Sequence, residues 1–225
     1  MTKRFFQFAM LLVATIFSGN VSAQSNSNKV PHFTPQNSAI VMIDHQKLIM
    51  DWVLSQDRKG VESNLRMLSR IGSELHLPLL ITSTREDQVG TTWDGIIKYA
   101  PEQYAKRIHR GANINAFVDP NFTVAVKNLN KKNLFICGLT TDMCLLQTVN
   151  TAVDLGYNVI VVADASGSLT KLADETSFDY FRQIGVKVIS TGAVITMLYQ
   201  DFSTPDGKKA QRIIMDEVSA NMGAK

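Results

Sequence analysis

A cysteine that opens a helix is the residue in this sequence best placed to act as a nucleophile. Residues 133–153 read NLFICGLTTDMCLLQTVNTAV: a short apolar strand, a glycine, two threonines, and then Cys144 at the start of a helical segment. Backbone N–H groups in the first turn of a helix lack intrahelical acceptors and lie at the positive end of the helix dipole. They favour a thiolate and can stabilise an oxyanion. Cys144 is therefore the candidate nucleophile; the alternative is a cysteine packed as a small hydrophobic residue.

Strands and helices alternate along the chain on both sides of this segment. Continuous apolar runs predict buried strands, and apolar residues at helical spacing predict the helices between them. The predicted strands are 38–43, 78–84, 133–137, 159–163 and 186–190, and the predicted helices are 60–75, 121–131, 141–155, 172–184, 191–199 and 210–222. This order predicts an α/β fold with three layers, α/β/α: a Rossmann-like, mostly parallel sheet with helices on both faces.

Polar residues follow four of the predicted strands, at the edge of the sheet where ligands bind in such folds. These residues are Asp44, Thr84 with Arg85, the segment 138–144, and the segment 164–168. The irregular stretch 85–120 is much longer than a usual connection, and we expect it to fold over this edge. Within it, Trp93 and Phe117 either line a pocket or pack the loop onto the surface.

The first residues have the pattern of a secretory signal peptide. Lys3 and Arg4 precede a mostly apolar stretch, and Val-Ser-Ala before Gln24 forms a small-residue cleavage site. We expect residues 1–23 to be removed, 24–33 to be a flexible leader, and 34–225 to form a single domain exported to the periplasm or secreted. The alternative is a retained anchor, although the apolar stretch is shorter than a membrane span of about 20 residues.

Charge and cysteine content limit the classes of partner. Removing Lys3 and Arg4 with the signal peptide lowers the formal charge from +3 to +1, and no run of basic residues remains. We therefore expect a small-molecule partner, with no nucleic acid and, after cleavage, no membrane. Cys137 lies inside a predicted strand and Cys144 beyond a tight turn, so we expect both of the chain's two cysteines to be free thiols.

Three motifs taken in order resemble a known family. An apolar strand ending at Asp44, the sequence STRE at 83–86, and G-x-x-T-x-x-C at 138–144 resemble the isochorismatase-like cysteine hydrolases over about residues 34–199. DHQ at 44–46, RGANINAF at 110–117 and VADASG at 162–167 are similar to the YcaC-type subgroup of that family. The resemblance implies the isochorismatase-like hydrolase fold and a homo-oligomer.

The resemblance also implies roles for three residues. Asp44 would act as the general base, and Cys144 would attack a carbonyl to give an acyl-type intermediate. Arg110 stands where the family usually has lysine. An arginine stays protonated, so it can lower a thiol pKa and bind an anion, but it cannot shuttle protons. Lys106 and His109 could replace it only if the loop turned them inward.

Further expectations come from the same resemblance. A cis peptide bond at Leu139-Thr140 would orient the backbone N–H groups of Thr140 and Cys144 as an oxyanion hole. The expected substrate-binding residues are Gln46, Arg85, Asn115 and Phe117. No metal and no organic cofactor is expected, because the nicotinamidase branch places an Asp and histidines around its metal, whereas the histidines here are isolated in sequence.

The leading functional hypothesis is an exported cysteine hydrolase that acts on a small-molecule amide, a non-peptide C–N bond, or less readily on an ester. Isochorismate-type vinyl ether cleavage is a second possibility, but that chemistry does not need the cysteine. Two alternatives of other classes stay open: a small-molecule binder without turnover, and a redox sensor in which Cys144 forms a sulfenic acid.

Overall fold

The computed structural model describes residues 31–223. The predicted signal peptide and residues 24–30 of the predicted leader lie outside this part of the chain. Phe33, which the sequence prediction assigns to the leader, is only 4% exposed, and its ring centroid lies 4.9 Å from that of Phe135. The packed part of the domain therefore already includes Phe33.

The described residues form a six-stranded sheet in which every neighbouring pair of strands is parallel. The strand order is β3-β2-β1-β4-β5-β6. The strands are β1 (Ser38–Ile43), β2 (Leu79–Thr84), β3 (Ile108–Arg110), β4 (Asn133–Gly138), β5 (Asn158–Val162) and β6 (Lys187–Ile189). The predicted α/β fold with a parallel sheet is confirmed.

Helices connect the strands and extend beyond the last of them. They are α1 (Lys47–Asp51), α2 (Arg58–Glu74), α3 (Glu86–Val89), α4 (Asp94–Tyr99), α5 (Pro101–Ala105), α6 (Pro120–Asn128), α7 (Leu146–Asp154), α8 (Lys171–Gln183), α9 (Thr191–Leu198) and α10 (Pro205–Gly223). Short 3₁₀ turns occupy Ala116–Val118 and Ala163–Ala165, and a π-helical turn at Thr141–Leu145 leads into α7. The helix predicted at 141–155 therefore has two parts.

Both faces of the sheet are buried. Ile40 and Met42 of β1 pack in one apolar cluster with α2, α9 and α10, while Val41 and Ile43 pack in a second cluster with α6, α7 and α8. Successive strand residues point to opposite faces, so a sheet covered on both sides needs continuous apolar strands. The two free cysteines fall in different clusters, Cys137 in the first and Cys144 in the second. The expectation of free thiols is confirmed.

The strand order reverses between β1 and β4. From β1 the chain moves to β2 and β3 on one side, and it then returns to β4 on the other side. Such a switch point leaves a crevice at the carboxyl ends of the two strands, because their connections leave in opposite directions. Asp44 follows β1 and Cys144 follows β4, and Ile43 pairs with Gly138 across the junction. The two residues therefore flank the crevice.

The stretch 85–120 is not the irregular loop that the sequence suggests. It contains three short helices, the edge strand β3 and a 3₁₀ turn. The sequence prediction missed β3 because this strand has three residues, Ile-His-Arg, and therefore no apolar run. Its register next to β2, with Thr84 opposite Arg110, places Arg110 at the same edge of the sheet as Asp44.

Candidate active site

Asp44 is fully buried and held by β2. Its backbone is in the left-handed region, at φ 57°, and its N–H donates to the carbonyl of Thr82 at 3.2 Å. The Thr82 hydroxyl donates to Asp44 Oδ1 at 2.7 Å. Thr82 therefore holds both the backbone and the side chain of Asp44 in place.

Arg110 reaches Asp44 from β3, across the end of β2. Its Nη2 donates to Asp44 Oδ2 in an ion pair whose two side chains are both fully buried. Its Nη1 donates to the carbonyl of Asn113 at 2.6 Å. Side chains alternate along β3, so His109 faces solvent, and Lys106 is exposed as well. Neither of these two residues replaces Arg110.

Cys144 lies in the π-helical turn and is 7% exposed. The Leu139-Thr140 peptide bond that precedes this turn is cis, as the family resemblance implies. Asp44 and Arg110 both lie close enough to the thiol to shift its pKa. The structure therefore brings together the three residues that the sequence analysis placed at the centre of the site.

The thiol of Cys144 is not biased toward the thiolate. The pKa of the thiol is raised to about 12: burial is the largest cause, the charge of Asp44 and a hydrogen bond to it act in the same direction, and Arg110 opposes them. The sequence prediction relied on the helix N-terminus to lower this pKa. That prediction was wrong because desolvation of the thiolate and its repulsion from Asp44 outweigh the helix dipole and the guanidinium. Cys144 is a protonated thiol at rest.

The backbone N–H groups of Thr140 and Cys144 are the predicted oxyanion donors. The N–H of Thr141 donates to the carbonyl of Gly167 at 3.0 Å, and that of Leu145 donates to the carbonyl of Thr140 at 3.2 Å. Among the described residues, neither the Thr140 nor the Cys144 amide donates to a carbonyl outside its own helix. These two amides thus stay the predicted oxyanion donors.

Gln46 and Asn115 have structural hydrogen bonds where substrate contacts were predicted. The Gln46 amide donates to the carbonyls of Thr84, at 2.8 Å, and Gly90, at 2.5 Å, and its oxygen accepts the N–H of Thr84 at 2.7 Å. Asn115 Oδ1 accepts the N–H of Phe117 at 3.0 Å, and its Nδ2 donates to Thr151 Oγ1 at 2.8 Å. Each polar atom of Gln46 therefore has a structural partner, and Asn115 caps the 3₁₀ turn that follows it. Their predicted contacts with substrate stay predictions.

The described contacts of Phe117 and Arg85 are with residues other than the three central side chains or with their backbone. Phe117 packs edge-on against Phe122, with ring centroids 4.9 Å apart, and stacks on Tyr157 at 6.4 Å. It is partly buried against the helical layer, and its predicted contact with substrate stays a prediction. Arg85 is exposed, and only its backbone N–H approaches the site, by donating to the carbonyl of Arg110 at 3.2 Å. Its predicted contact with substrate stays a prediction.

Two residues near the site were missed by sequence reasoning. Thr82 is a polar residue inside a buried strand, and buried hydroxyls need partners, so its position alone signals a specific contact. His45 is buried, and its Nε2 lies 2.9 Å from the carbonyl of Ala165, which ties the end of β1 to the end of β5. Burial lowers the pKa of His45 to about 4, so the imidazole is neutral.

Two further observations bear on the kind of site. Within residues 31–223, no group of three or more His, Cys, Asp or Glu side chains is arranged to hold a metal ion. In the same part of the chain, no helix combines the length and the apolar character needed to cross a membrane.

The fold and the site are those of a Rossmann-like α/β protein with a cysteine-centred site at its topological switch point. Within that class, the chain belongs to the isochorismatase family, because the model of the Isochorismatase domain matches residues 38–193. The relatives described next include YcaC proteins, to which the chain is similar in sequence and in fold.

By sequence, the chain is 28% identical to the probable hydrolase YcaC of Escherichia coli over 171 residues, which cover 74% of this chain and 79% of that protein. By structure, YcaC from Pseudomonas aeruginosa superposes with a TM-score of 0.78 at 24% identity, covering 88% of this chain and 97% of that one. That structure contains hexane-2,5-diol and covalent acrylamide. YcaC from E. coli, an octameric hydrolase of unknown specificity, superposes with a TM-score of 0.76 at 24% identity, covering 86% of this chain and 96% of that one.

Proposed function

We propose that this protein is a cysteine hydrolase of a small-molecule amide. The observation that carries the proposal is the protonated thiol of Cys144 beside the buried Asp44–Arg110 pair. A nucleophile, a proton acceptor and a fixed cation within contact of one another are the parts that acyl transfer requires. The covalent acrylamide in the relative from P. aeruginosa supports a reactive nucleophile in this subgroup.

In the first half-reaction, Asp44 takes the thiol proton while sulfur forms a bond to the amide carbonyl carbon. The resulting oxyanion accepts hydrogen bonds from the backbone N–H groups of Thr140 and Cys144. Asp44 then donates its proton to the amide nitrogen, the C–N bond breaks, and the amine leaves. A thioester on Cys144 is the acyl intermediate.

In the second half-reaction, water attacks the thioester carbonyl and Asp44 takes the water proton. The C–S bond breaks, the carboxylic acid leaves, and the sulfur recovers a proton from Asp44. A carboxylate offers about four lone-pair positions, so Asp44 can exchange this proton while it holds Thr82 and Arg110. Arg110 keeps its proton throughout and stabilises the charged form of Asp44.

The proposal is tested by screening purified protein against a panel of small primary amides with detection of released ammonia. We expect the wild type to hydrolyse at least one amide and Cys144→Ser to lose this activity. The matched control is Cys137→Ala, which removes the thiol of the other cluster and should retain turnover. No released ammonia on any amide, or turnover unchanged in Cys144→Ser, would instead indicate a non-catalytic binder or a different nucleophile.

We also propose that the chain forms a homo-oligomer through the rim around Cys144. Leu54, Leu169 and Met143 are 69%, 45% and 41% exposed. They lie close together, because the N–H of Leu54 donates to Ser168 O at 3.0 Å and Ser168 Oγ donates to Asp142 at 3.0 Å. Apolar side chains exposed in one patch are typical of interfaces. The octameric state of YcaC from E. coli supports this assignment.

Size-exclusion chromatography with light scattering tests the oligomer. Leu54→Lys should shift the assembly to a smaller species, because it places a charge in the contact. Val124→Lys is the control, since Val124 is also exposed but lies on α6. A monomeric wild type, or an unchanged assembly in Leu54→Lys, would contradict the proposed interface.

Export remains a proposal that rests on the first 23 residues. The N-terminus of the mature protein, recovered from periplasmic and medium fractions of a bacterial host, should begin at Gln24. A protein that keeps Met1 or stays in the cytoplasmic fraction would contradict it.

A further inference from the structure

The guanidinium of Arg110 makes its ion pair and its hydrogen bonds inside the site. Its Nη2 pairs with Asp44, its Nη1 donates to the carbonyl of Asn113 at 2.6 Å, and no part of its side chain is exposed. Its Nε is buried and has no hydrogen-bond partner within the described residues. The guanidinium charge is therefore matched by Asp44 in a fully buried pair, and no surface of the Arg110 side chain is open to an incoming carboxylate, in contrast to the anion-binding role that its type suggests.

The other basic residues near the site do not supply a positive charge that could bind a substrate carboxylate. His45 is neutral because burial lowers its pKa to about 4. Lys106 and His109 are exposed on the other side of the edge strand, and Arg85 lies at the surface. The two charged groups that act on the thiol are thus one carboxylate and one guanidinium, paired with each other so that their formal charges sum to zero.

We propose that the position next to the Cys144 sulfur accepts only an uncharged group, so that the substrate is an amide with no carboxylate beside the scissile carbonyl. This inference rests on the proposed hydrolase function and deepens it. A carboxylate at this position would be desolvated without a free cation and would lie close to Asp44, and both effects disfavour it. An uncharged amide loses less on desolvation and can use the backbone N–H groups as donors.

Two alkylating reagents of nearly equal size test the inference. Iodoacetamide is neutral and iodoacetate is anionic, and both react when sulfur displaces iodide, forming a C–S bond, breaking the C–I bond and releasing the thiol proton to buffer. Rates at Cys144 are measured by peptide-resolved mass spectrometry at one pH, and each is divided by the rate for glutathione. The ratio of the two normalised rates reports the charge preference of the site alone.

For the wild type we expect the normalised ratio to favour iodoacetamide by roughly tenfold or more, because an unpaired charge is costlier to bury than a neutral amide. In Asp44→Asn the guanidinium of Arg110 loses its partner, so the preference should reverse toward iodoacetate. A wild-type ratio near one, or one that favours iodoacetate, would overturn the inference. Because Asp44→Asn can misfold, protection of wild-type Cys144 by propionamide but not by propionate is an independent measurement, and equal protection by both would also overturn it.

The outcome is separate from that of the hydrolase proposal. The alkylation ratio is defined even if labelling is slow and no amide is turned over. If no amide is turned over but the ratio is high, only the hydrolase proposal is contradicted. If anionic amides are turned over and the ratio is near one, only the charge inference is contradicted.

Discussion

The two cysteines of this protein are seven residues apart, yet they occupy opposite faces of the sheet. Cys137 lies inside β4, is fully buried, and has its pKa raised by burial and, to a smaller extent, by the charge of Asp164. Cys144 also has a raised pKa, but it contacts a carboxylate and a guanidinium. The difference between them is therefore their partners rather than thiol acidity. A proton acceptor in contact makes Cys144 a candidate nucleophile.

Removing the guanidinium would make the surroundings of Cys144 more like those of Cys137, and we expect this change to have the largest effect. Arg110→Met leaves Asp44 buried without its cation, and breaking a buried pair in this way costs about 3–5 kcal/mol. Urea unfolding should show a loss of this size. The control is Arg182→Met, whose partner Asp179 is on the surface, and which should change stability much less. Equal losses in the two variants would contradict a structural role for the buried pair.

A second prediction compares the two thiols directly. With acrylamide near neutral pH, the peptide that contains Cys144 should be modified at least about 100-fold faster than the peptide that contains Cys137, which corresponds to roughly 3 kcal/mol of protection. The reason is that Cys144 opens to the site, whereas exposure of Cys137 requires the sheet to open locally. Peptide mapping over time measures both rates. Similar rates would mean that the site gives Cys144 no special access or activation.

A third prediction concerns Thr82, which has no counterpart beside Cys137. Thr82→Val preserves shape but removes the hydroxyl from Asp44, and a hydrogen bond to a charged group contributes about 1.5–3 kcal/mol. Alkylation of Cys144 should slow roughly tenfold and its pH profile should shift, because the carboxylate orientation and charge are less well held. Thr82→Ser retains a hydroxyl and should restore both properties. Loss of rate in Thr82→Ser as well would indicate a packing role only.

The smallest predicted effect is on stability at alkaline pH. Folding raises the pKa of Cys144 from 9.0 to about 12, so the folded state keeps a proton that the unfolded chain releases. This contribution is fully present below the unfolded pKa and is lost as pH rises through the folded pKa. Between about pH 9 and 11 the free energy of unfolding should fall more steeply for the wild type than for Cys144→Ser, by up to about 1.4 kcal/mol per pH unit. Parallel curves would contradict a raised thiol pKa.

The sequence was sufficient for the parallel fold, because β1 reads as a continuous apolar run and alternates with helices of clear periodicity. It was also sufficient to bring Asp44 and Cys144 to one edge, while Arg110 was added by the family resemblance. It was insufficient for β3, whose three residues have no pattern, and for the thiol pKa, which depends on burial and distance rather than on helix position.

Sequence also did not reveal the structural partners of the residues around the centre. Gln46 and Asn115 are polar residues in family-like motifs, so a substrate contact was a reasonable expectation. Their hydrogen bonds instead satisfy backbone groups of Thr84 and Phe117, a need that arises only once the strands are assembled. The packing of Phe117 against Phe122 was not predicted either, because nothing in a linear sequence indicates that the two rings meet.

Trapping an acyl group tests the central claim, that Cys144 is the nucleophile, most directly. The protein is mixed with p-nitrophenyl acetate, an activated ester, quenched in acid within the first turnover, and mapped by peptide mass spectrometry. We predict one acetyl group as a thioester on the peptide that contains Cys144, none on Cys137, and none at this position in Cys144→Ser. An acetyl group on another residue, or equal acetylation of the two cysteine peptides, would contradict the assignment.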